Sequence, residues 1–157
     1  MNKKILLIVT VAAILIPATV FAAKSPLAIT AKAAIVIEAS TGEVLYEKNA
    51  EERRYPASTT KMMTIITALE AGNINDLVTA SPNAVNTEGS SMYLRAAERL
   101  KLLDMLYGVA LVSGNDAAVA VAEHISGSVG NFARRMTAKA HSIGAVRTNG
   151  PNSSGVP

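Results

Sequence analysis

With 157 residues, half of them hydrophobic, the chain is long enough to bury a real core and short enough for a single domain. Its 15 basic and 12 acidic residues give a net charge of +3, but Lys and Arg are scattered, Trp is absent and aromatics make up 4%, which excludes a nucleic-acid surface of basic clusters and stacking rings. The lack of cysteine excludes disulfides and thiolate metal sites.

Residues Met1 to Ala22 read as a secretory signal: Lys3 and Lys4 open it, Ile5 to Ile16 is apolar, Pro17 breaks the run, and Val20-Phe21-Ala22 is a small-residue cleavage pattern. An uncleaved anchor is the competing reading, because apolar character continues to about Ala23. Cleavage leaves residues 23–157, with 13 basic against 12 acidic residues, so the charge excess belongs mostly to the leader.

Ala33-Ala34-Ile35-Val36-Ile37-Glu38 and Glu43-Val44-Leu45-Tyr46-Glu47, around Ala39-Ser40-Thr41-Gly42, predict a β-hairpin. The charged stretch Lys48 to Arg54 is a solvated connection. Pro56 suits a first helical turn, and a helix is predicted from Ser58 through the apolar Met62, Met63, Ile65, Ile66 and Leu69, with Gly72 as a left-handed stop. Short strands are expected at Leu77-Val78-Thr79 and Ser91-Met92-Tyr93-Leu94, with turns at Ser81-Pro82-Asn83 and Glu88-Gly89-Ser90. Leu100 to Val112 is apolar nearly all round and reads as a buried helix. Asn115 or Asp116 caps an alanine-rich helix to about Ile125, and a third helix runs from about Ser128 to Ile143 with Phe132, Met136 and Ala140 on one stripe. Arg147 to Pro157 is loop-like.

Chemistry concentrates in two places. Ser58 and Lys61 stand three residues apart at a helix start, so the amine can reach the hydroxyl, which sits at the positive end of the helix dipole. Ser58 reads as a nucleophile and Lys61 as its base, provided burial among the methionines lowers the lysine pKa. Ser113-Gly114-Asn115 follows a buried helix, a rigid base from which Ser113 can relay a proton and Asn115 can hold the substrate or the lysine. Each motif alone has a helix-capping reading.

Together, Tyr55-Pro56-Ala57-Ser58-Thr59-Thr60-Lys61-Met62-Met63-Thr64, Glu88 to Leu94, and Leu106-Tyr107-Gly108 running to Ser113-Gly114-Asn115-Asp116-Ala117-Ala118 resemble the D-alanyl-D-alanine carboxypeptidases, penicillin-binding enzymes of the bacterial envelope. The similarity extends from about Ala33 to Pro157, and the combination of strings is highly specific. The resemblance implies an α/β fold of the β-lactamase and transpeptidase type, an antiparallel sheet with a helical subdomain. Of this the chain is expected to hold the first two strands and most of the helical part, with later strands missing. It implies an acyl-enzyme on Ser58, Lys61 as general base, Ser113 as proton relay and Asn115 as a substrate-binding residue. The implied partners are peptidoglycan stem peptides ending in D-Ala-D-Ala and covalently bound β-lactams. No cofactor or metal is implied. An extracytoplasmic location is, with possible membrane-surface association through a missing C-terminal region.

Three departures stand out. The family's K-T-G motif has no counterpart here, as neither Lys-Thr-Gly nor Lys-Ser-Gly occurs. In Pro151-Asn152-Ser153-Ser154-Gly155-Val156-Pro157 the proline precedes the asparagine of an N-P-x-G-L-P-like segment. Ala97 stands where the family usually has glycine. The first two suggest a fragment or truncated product. Alternatives are a β-lactamase or D,D-endopeptidase with the same nucleophile, and an inactive peptidoglycan-binding remnant. His124 and His141 lack H-E-x-x-H spacing, and G-x-S-x-G is absent.

Overall fold

The computed structural model describes residues 28–150 and 152–155, so the expected signal at Met1–Ala22 lies outside the described residues. The chain divides into two units, Met1–Glu52 and Arg53–Pro157. In the first, β1 (Ala34–Ile37) pairs antiparallel with β2 (Val44–Lys48), Ala34 opposite Lys48 and Ile37 opposite Val44, with a register shift between Val36 and Ile37. The hairpin is where the alternating apolar pattern places it. Glu38 closes its turn by accepting from the Ser40 hydroxyl at 2.6 Å and the Thr41 amide at 3.0 Å. Those hydrogen bonds, the Ser40 hydroxyl's foremost, hold its carboxyl below the usual range. The expected solvated connection begins with tethers, as Lys48 Nζ donates to Ile29 O at 3.0 Å and Asn49 Nδ2 to Lys32 O at 2.9 Å.

The second unit is helical. A single 3-10 turn, Ala57–Thr59, leads into α1 (Thr60–Ala71). Ser58 therefore lies just before the α-helix, and no side-chain cap bond forms there. Gly72 ends α1 in extended backbone, φ −115°, instead of the expected left-handed turn. Its smallness has a packing reason, since a Cβ would come 2.7 Å from Leu102 Cδ2.

β3 (Leu77–Thr79) forms as expected, but its antiparallel partner is β4 (Arg99–Lys101), with Leu77 opposite Lys101 and Thr79 opposite Arg99. Ser91–Leu94 makes no strand, because the amides of Met92 and Leu94 are both given to Asp116. The turn expected at Ser81–Asn83 opens α2 (Pro82–Val85), with Ser81 accepting from the Ala84 amide at 3.0 Å. Ala97 sits in a turn closed by Glu98 N–H to Arg95 O at 2.9 Å, with φ +65°. That is left-handed backbone, which explains why glycine suits the position.

α3 (Leu102–Leu111) buries Leu102, Met105, Leu106 and Val109, but Leu111 is 80% exposed and Tyr107 is also exposed, so the helix is one-sided rather than enclosed. α4 (Asn115–Ser126) is the hub: every residue from Asn115 to Ala122 is buried. Its alanines let α1, α2, α3, β3 and α5 (Val129–Ser142) pack closely around it. Gly114 precedes α4 without a side-chain cap, so neither Asn115 nor Asp116 is the cap; both lie inside the first turn. Gly127 ends α4 in left-handed backbone, φ +73°, as glycine readily does. Ser128 caps α5 through the Asn131 amide at 3.1 Å, and Phe132, Met136 and Ala140 face the core.

Candidate active site

Pro56, with φ −77°, sets the entry to the 3-10 turn, and Ala57 follows in left-handed backbone, φ +48°. This presents Ser58 on the surface at the N-terminal end of α1. Lys61, one turn on, is only 4% exposed. The buried face of α1 is Lys61, Thr64, Thr67 and Ala68, whereas Met62 is 62% exposed. Burial of the lysine therefore does not come from the adjacent methionine stripe.

It comes from the chain's last described residues. Asn152–Gly155 runs as a strap along α1, antiparallel to it. Gly155 packs on the 3-10 turn, Ser154 O accepts from Lys61 Nζ at 3.1 Å, and Ser153 O accepts from Thr64 Oγ1 at 2.7 Å. A Cβ on Gly155 would collide with the Ala57 carbonyl oxygen and come 2.6 Å from Thr60 Oγ1. Two polar residues of that face, Lys61 and Thr64, are met by strap carbonyls, while Thr67 Oγ1 is buried without a hydrogen-bond partner; of the two methionines only Met62 faces outward, Met63 packing against the core.

Between α3 and α4, Ser113 takes left-handed backbone, φ +58°, at the position where glycine commonly follows a helix. That turn aims Ser113 Oγ at Ser58 Oγ, 2.9 Å away. Asn115 Oδ1 accepts from Lys61 Nζ at 2.7 Å, while Asn115 Nδ2 donates to Glu88 O at 2.7 Å and the Asn115 amide to Ser90 O at 2.7 Å. All four expected site residues therefore gather in one place, as two bonded pairs. A direct Lys61–Ser58 hydrogen bond, expected from the i, i+3 spacing, is not formed. Ser58 precedes the α-helix, and the amine's donors are directed to Asn115 and Ser154.

Asp116 is the main residue that sequence reasoning left without a role in the site. Almost wholly buried, it accepts from Ser91 Oγ (2.7 Å), Met92 N (3.1 Å), Leu94 N (3.1 Å) and Ala117 N (2.9 Å). Burial pushes its pKa up, but the four donors outweigh that and hold the carboxyl below its ordinary value. The clamp fixes the Glu88–Leu94 segment over Asn115. A stretch expected as a turn and a short strand thus forms one wall of the site, and its signal in sequence was the string Glu88 to Leu94 itself.

Burial lowers the Lys61 pKa. A neutral amine has two N–H groups, which match the two acceptors Asn115 Oδ1 and Ser154 O and leave a lone pair to take a proton. A hydroxyl nucleophile, a second hydroxyl in contact with it and a desolvated lysine make a constellation suited to covalent acyl transfer. Among the described residues no three His, Cys, Asp or Glu side chains cluster to hold a metal. His124 faces Asp76 at 3.4 Å, and His141 lies 2.9 Å from Thr148 O.

The sequence profile of the D-alanyl-D-alanine carboxypeptidase family, Peptidase S11, matches residues 19–156. D-alanyl-D-alanine carboxypeptidase DacF of Bacillus subtilis (strain 168) is 45% identical over 137 residues, covering 84% of this chain and 35% of the relative. DacA of Haemophilus influenzae is 39% identical over 133 residues, covering 80% and 34%. The crystal structure of penicillin binding protein 5 from Haemophilus influenzae superposes with a TM-score of 0.77 at 35% identity, over 84% of this chain and 41% of that one. The chain thus spans about a third of the length of these curated relatives. Its helices and small antiparallel sheets are part of the transpeptidase fold of the penicillin-binding proteins. The chain belongs to the D-alanyl-D-alanine carboxypeptidase family.

Proposed function

We propose that residues 23–157 are the N-terminal portion of the catalytic domain of an exported serine D-alanyl-D-alanine carboxypeptidase, with residues 1–22 as its signal peptide. The observation that carries the reading is the 2.9 Å contact of Ser58 Oγ with Ser113 Oγ beside a buried lysine held by Asn115 at 2.7 Å. Ser58 Oγ attacks the carbonyl carbon between the two D-alanines, and the neutral Lys61 amine takes its proton. Ser113 relays a proton from the lysine to the leaving amine as the peptide bond breaks, leaving an ester on Ser58. Water cleaves that ester and regenerates the hydroxyl. Asn115 orients the substrate backbone and the lysine together. A β-lactam enters by the same attack and stays as a stable ester.

The group that pairs with the substrate carboxylate is assigned to no residue here, since the 157 residues contain no Lys-Thr-Gly. The substrate, a stem peptide of peptidoglycan, places the reaction outside the cytoplasm. Among the described residues no helix is long and apolar enough to cross a membrane.

The test is intact mass of the protein from its own cells, with and without a penicillin, followed by peptide mapping. An adduct of one antibiotic on Ser58, lost in Ser58→Ala, supports the reading. Labelling that persists in Ser58→Ala overturns it. An adduct that survives for many minutes distinguishes the carboxypeptidase from a β-lactamase.

A further inference from the structure

We infer that Asn152 is a positioning residue for the site: its side chain folds the Asn152–Gly155 strap into the shape that delivers the Ser154 carbonyl to the Lys61 amine. Asn152 Oδ1 accepts from the Gly155 amide at 2.7 Å and the Ser154 amide at 3.2 Å, with Ser154 Oγ at 3.4 Å. One oxygen thus gathers three donors, two from Ser154 and one from Gly155, into an Asx turn. The turn frees the carbonyls of Ser153 and Ser154 to face α1, where Thr64 and Lys61 take them at 2.7 and 3.1 Å. Gly155, φ +80°, then presses the strap's end against the turn that carries Ser58.

The strap's contacts with Lys61 and Thr64 are made by its backbone, while Asn152 and Gly155 set its geometry. Without the Asx turn, two amides and the Ser154 carbonyl lose their arrangement, and water gains access to an amine now 4% exposed. Burial alone lowers the Lys61 pKa, with no charged group contributing. From α4, Asn115 is neutral and the oxygens of Asp116 are turned to Ser91, Met92, Leu94 and Ala117. From α5, Arg134 and Arg135 are exposed and Lys139 pairs with Glu70. The strap brings hydroxyls and backbone only. A catalytic consequence rests on the reading of Lys61 as the base, but the positioning itself does not.

The test is an NMR titration of the Lys61 ε-carbon in the full chain, assigned by its loss in Lys61→Arg, with hydrogen exchange of the Gly155 amide. In the wild type the amine titrates below 10.5, the ordinary lysine value. In Asn152→Ala the midpoint is expected to move up toward that value, and Gly155 to lose protection. Asn152→Asp keeps an acceptor oxygen, so Gly155 stays protected while the added negative charge also raises the midpoint. Should Asn152→Ala fail to fold, Asn152→Asp decides through hydrogen exchange: a Gly155 amide that stays protected supports the turn, and one that loses protection although the acceptor oxygen is kept overturns it. An unchanged Lys61 midpoint in folded Asn152→Ala overturns the inference. Neither readout requires acylation, so a failure of Ser58 labelling would sink the proposed function and leave this result standing.

Discussion

Asp116→Asn tests how the site is held. Asp116 Oδ1 accepts from the Met92 and Ala117 amides and Oδ2 from Ser91 Oγ and the Leu94 amide. An asparagine amide must turn its NH2 toward one of these pairs. The better orientation replaces Oδ2, because the Ser91 hydroxyl can rotate to accept while only the Leu94 amide is stranded. A buried amide without a partner costs about 1–3 kcal/mol, and each bond that exchanges a charged acceptor for a neutral one loses about 1 kcal/mol more. The expected loss is therefore about 4 kcal/mol, a large share of the roughly 5–15 kcal/mol that stabilises a domain. The melting temperature should fall by roughly 10 °C or more. Urea unfolding followed by circular dichroism at pH 7 measures the loss, and a change within about 1 kcal/mol would refute the clamp. The pH dependence gives the sign. A carboxyl held below its unfolded value of 3.8 binds fewer protons folded than unfolded, so its stabilisation is complete above that value and drains away as pH falls through the folded pKa. The gap between wild type and Asp116→Asn should narrow in that acid window.

Ala97→Gly should stabilise the chain by about 0.5–1 kcal/mol, because relief of left-handed strain at φ +65° exceeds the added freedom of the unfolded chain; thermal melts check it. Gly108→Ala should destabilise by about 1–3 kcal/mol, since the new methyl collides with Met92 Sδ, and exchange of the Met92 and Leu94 amides should quicken. Ser113→Gly should raise stability by about 1 kcal/mol at φ +58° while slowing penicillin labelling of Ser58, read by melts and intact mass together. Because the Lys61 pKa is lowered, labelling should grow with pH through that lowered value and level off below 10.5, a profile lost in Lys61→Arg.

The hairpin, α4 and α5 were legible because each carries a local signal: alternation around a turn, an alanine-rich run closed by glycine, a serine cap before a 3.6-residue stripe. Ser58, Lys61, Ser113 and Asn115 were legible as strings whose spacing makes chemical sense. What could not be read were the contacts that cross long stretches of chain without periodicity. Asp116 reaches back to Ser91, Met92 and Leu94, and the strap reaches from Ser153 and Ser154 to Thr64 and Lys61. All but the Ser91 bond are between a side chain and the backbone, and a backbone amide or carbonyl has no letter in the sequence. For the same reason the inward-facing residues of α1 could not all be read from its pattern, though Met63 and Ile65 do pack against the core. A rule that sends apolar residues inward would bury Met62, yet the interior offers the helix two carbonyls and an amide oxygen, and Lys61 and Thr64 take them.

The two left-handed residues beside the reactive pair, Ala57 at φ +48° and Ser113 at φ +58°, follow from the same arrangement. Each costs about 1–2 kcal/mol relative to relaxed backbone, and such strain persists only where surrounding contacts over-determine it. At Ala57 the over-determination is Pro56 on one side and Gly155 pressed on its carbonyl on the other. At Ser113 it is Gly114 N–H returned to Gly108 O at 3.1 Å and the first turn of the buried α4. Relaxing either residue would swing its hydroxyl partner out of the 2.9 Å contact, because Ser58 and Ser113 have no element in common except through these turns. The stability of the helical unit and the geometry of the reactive pair therefore draw on one set of bonds. That is why loosening Asp116 or the strap should be felt at Ser58 although neither forms a hydrogen bond with it.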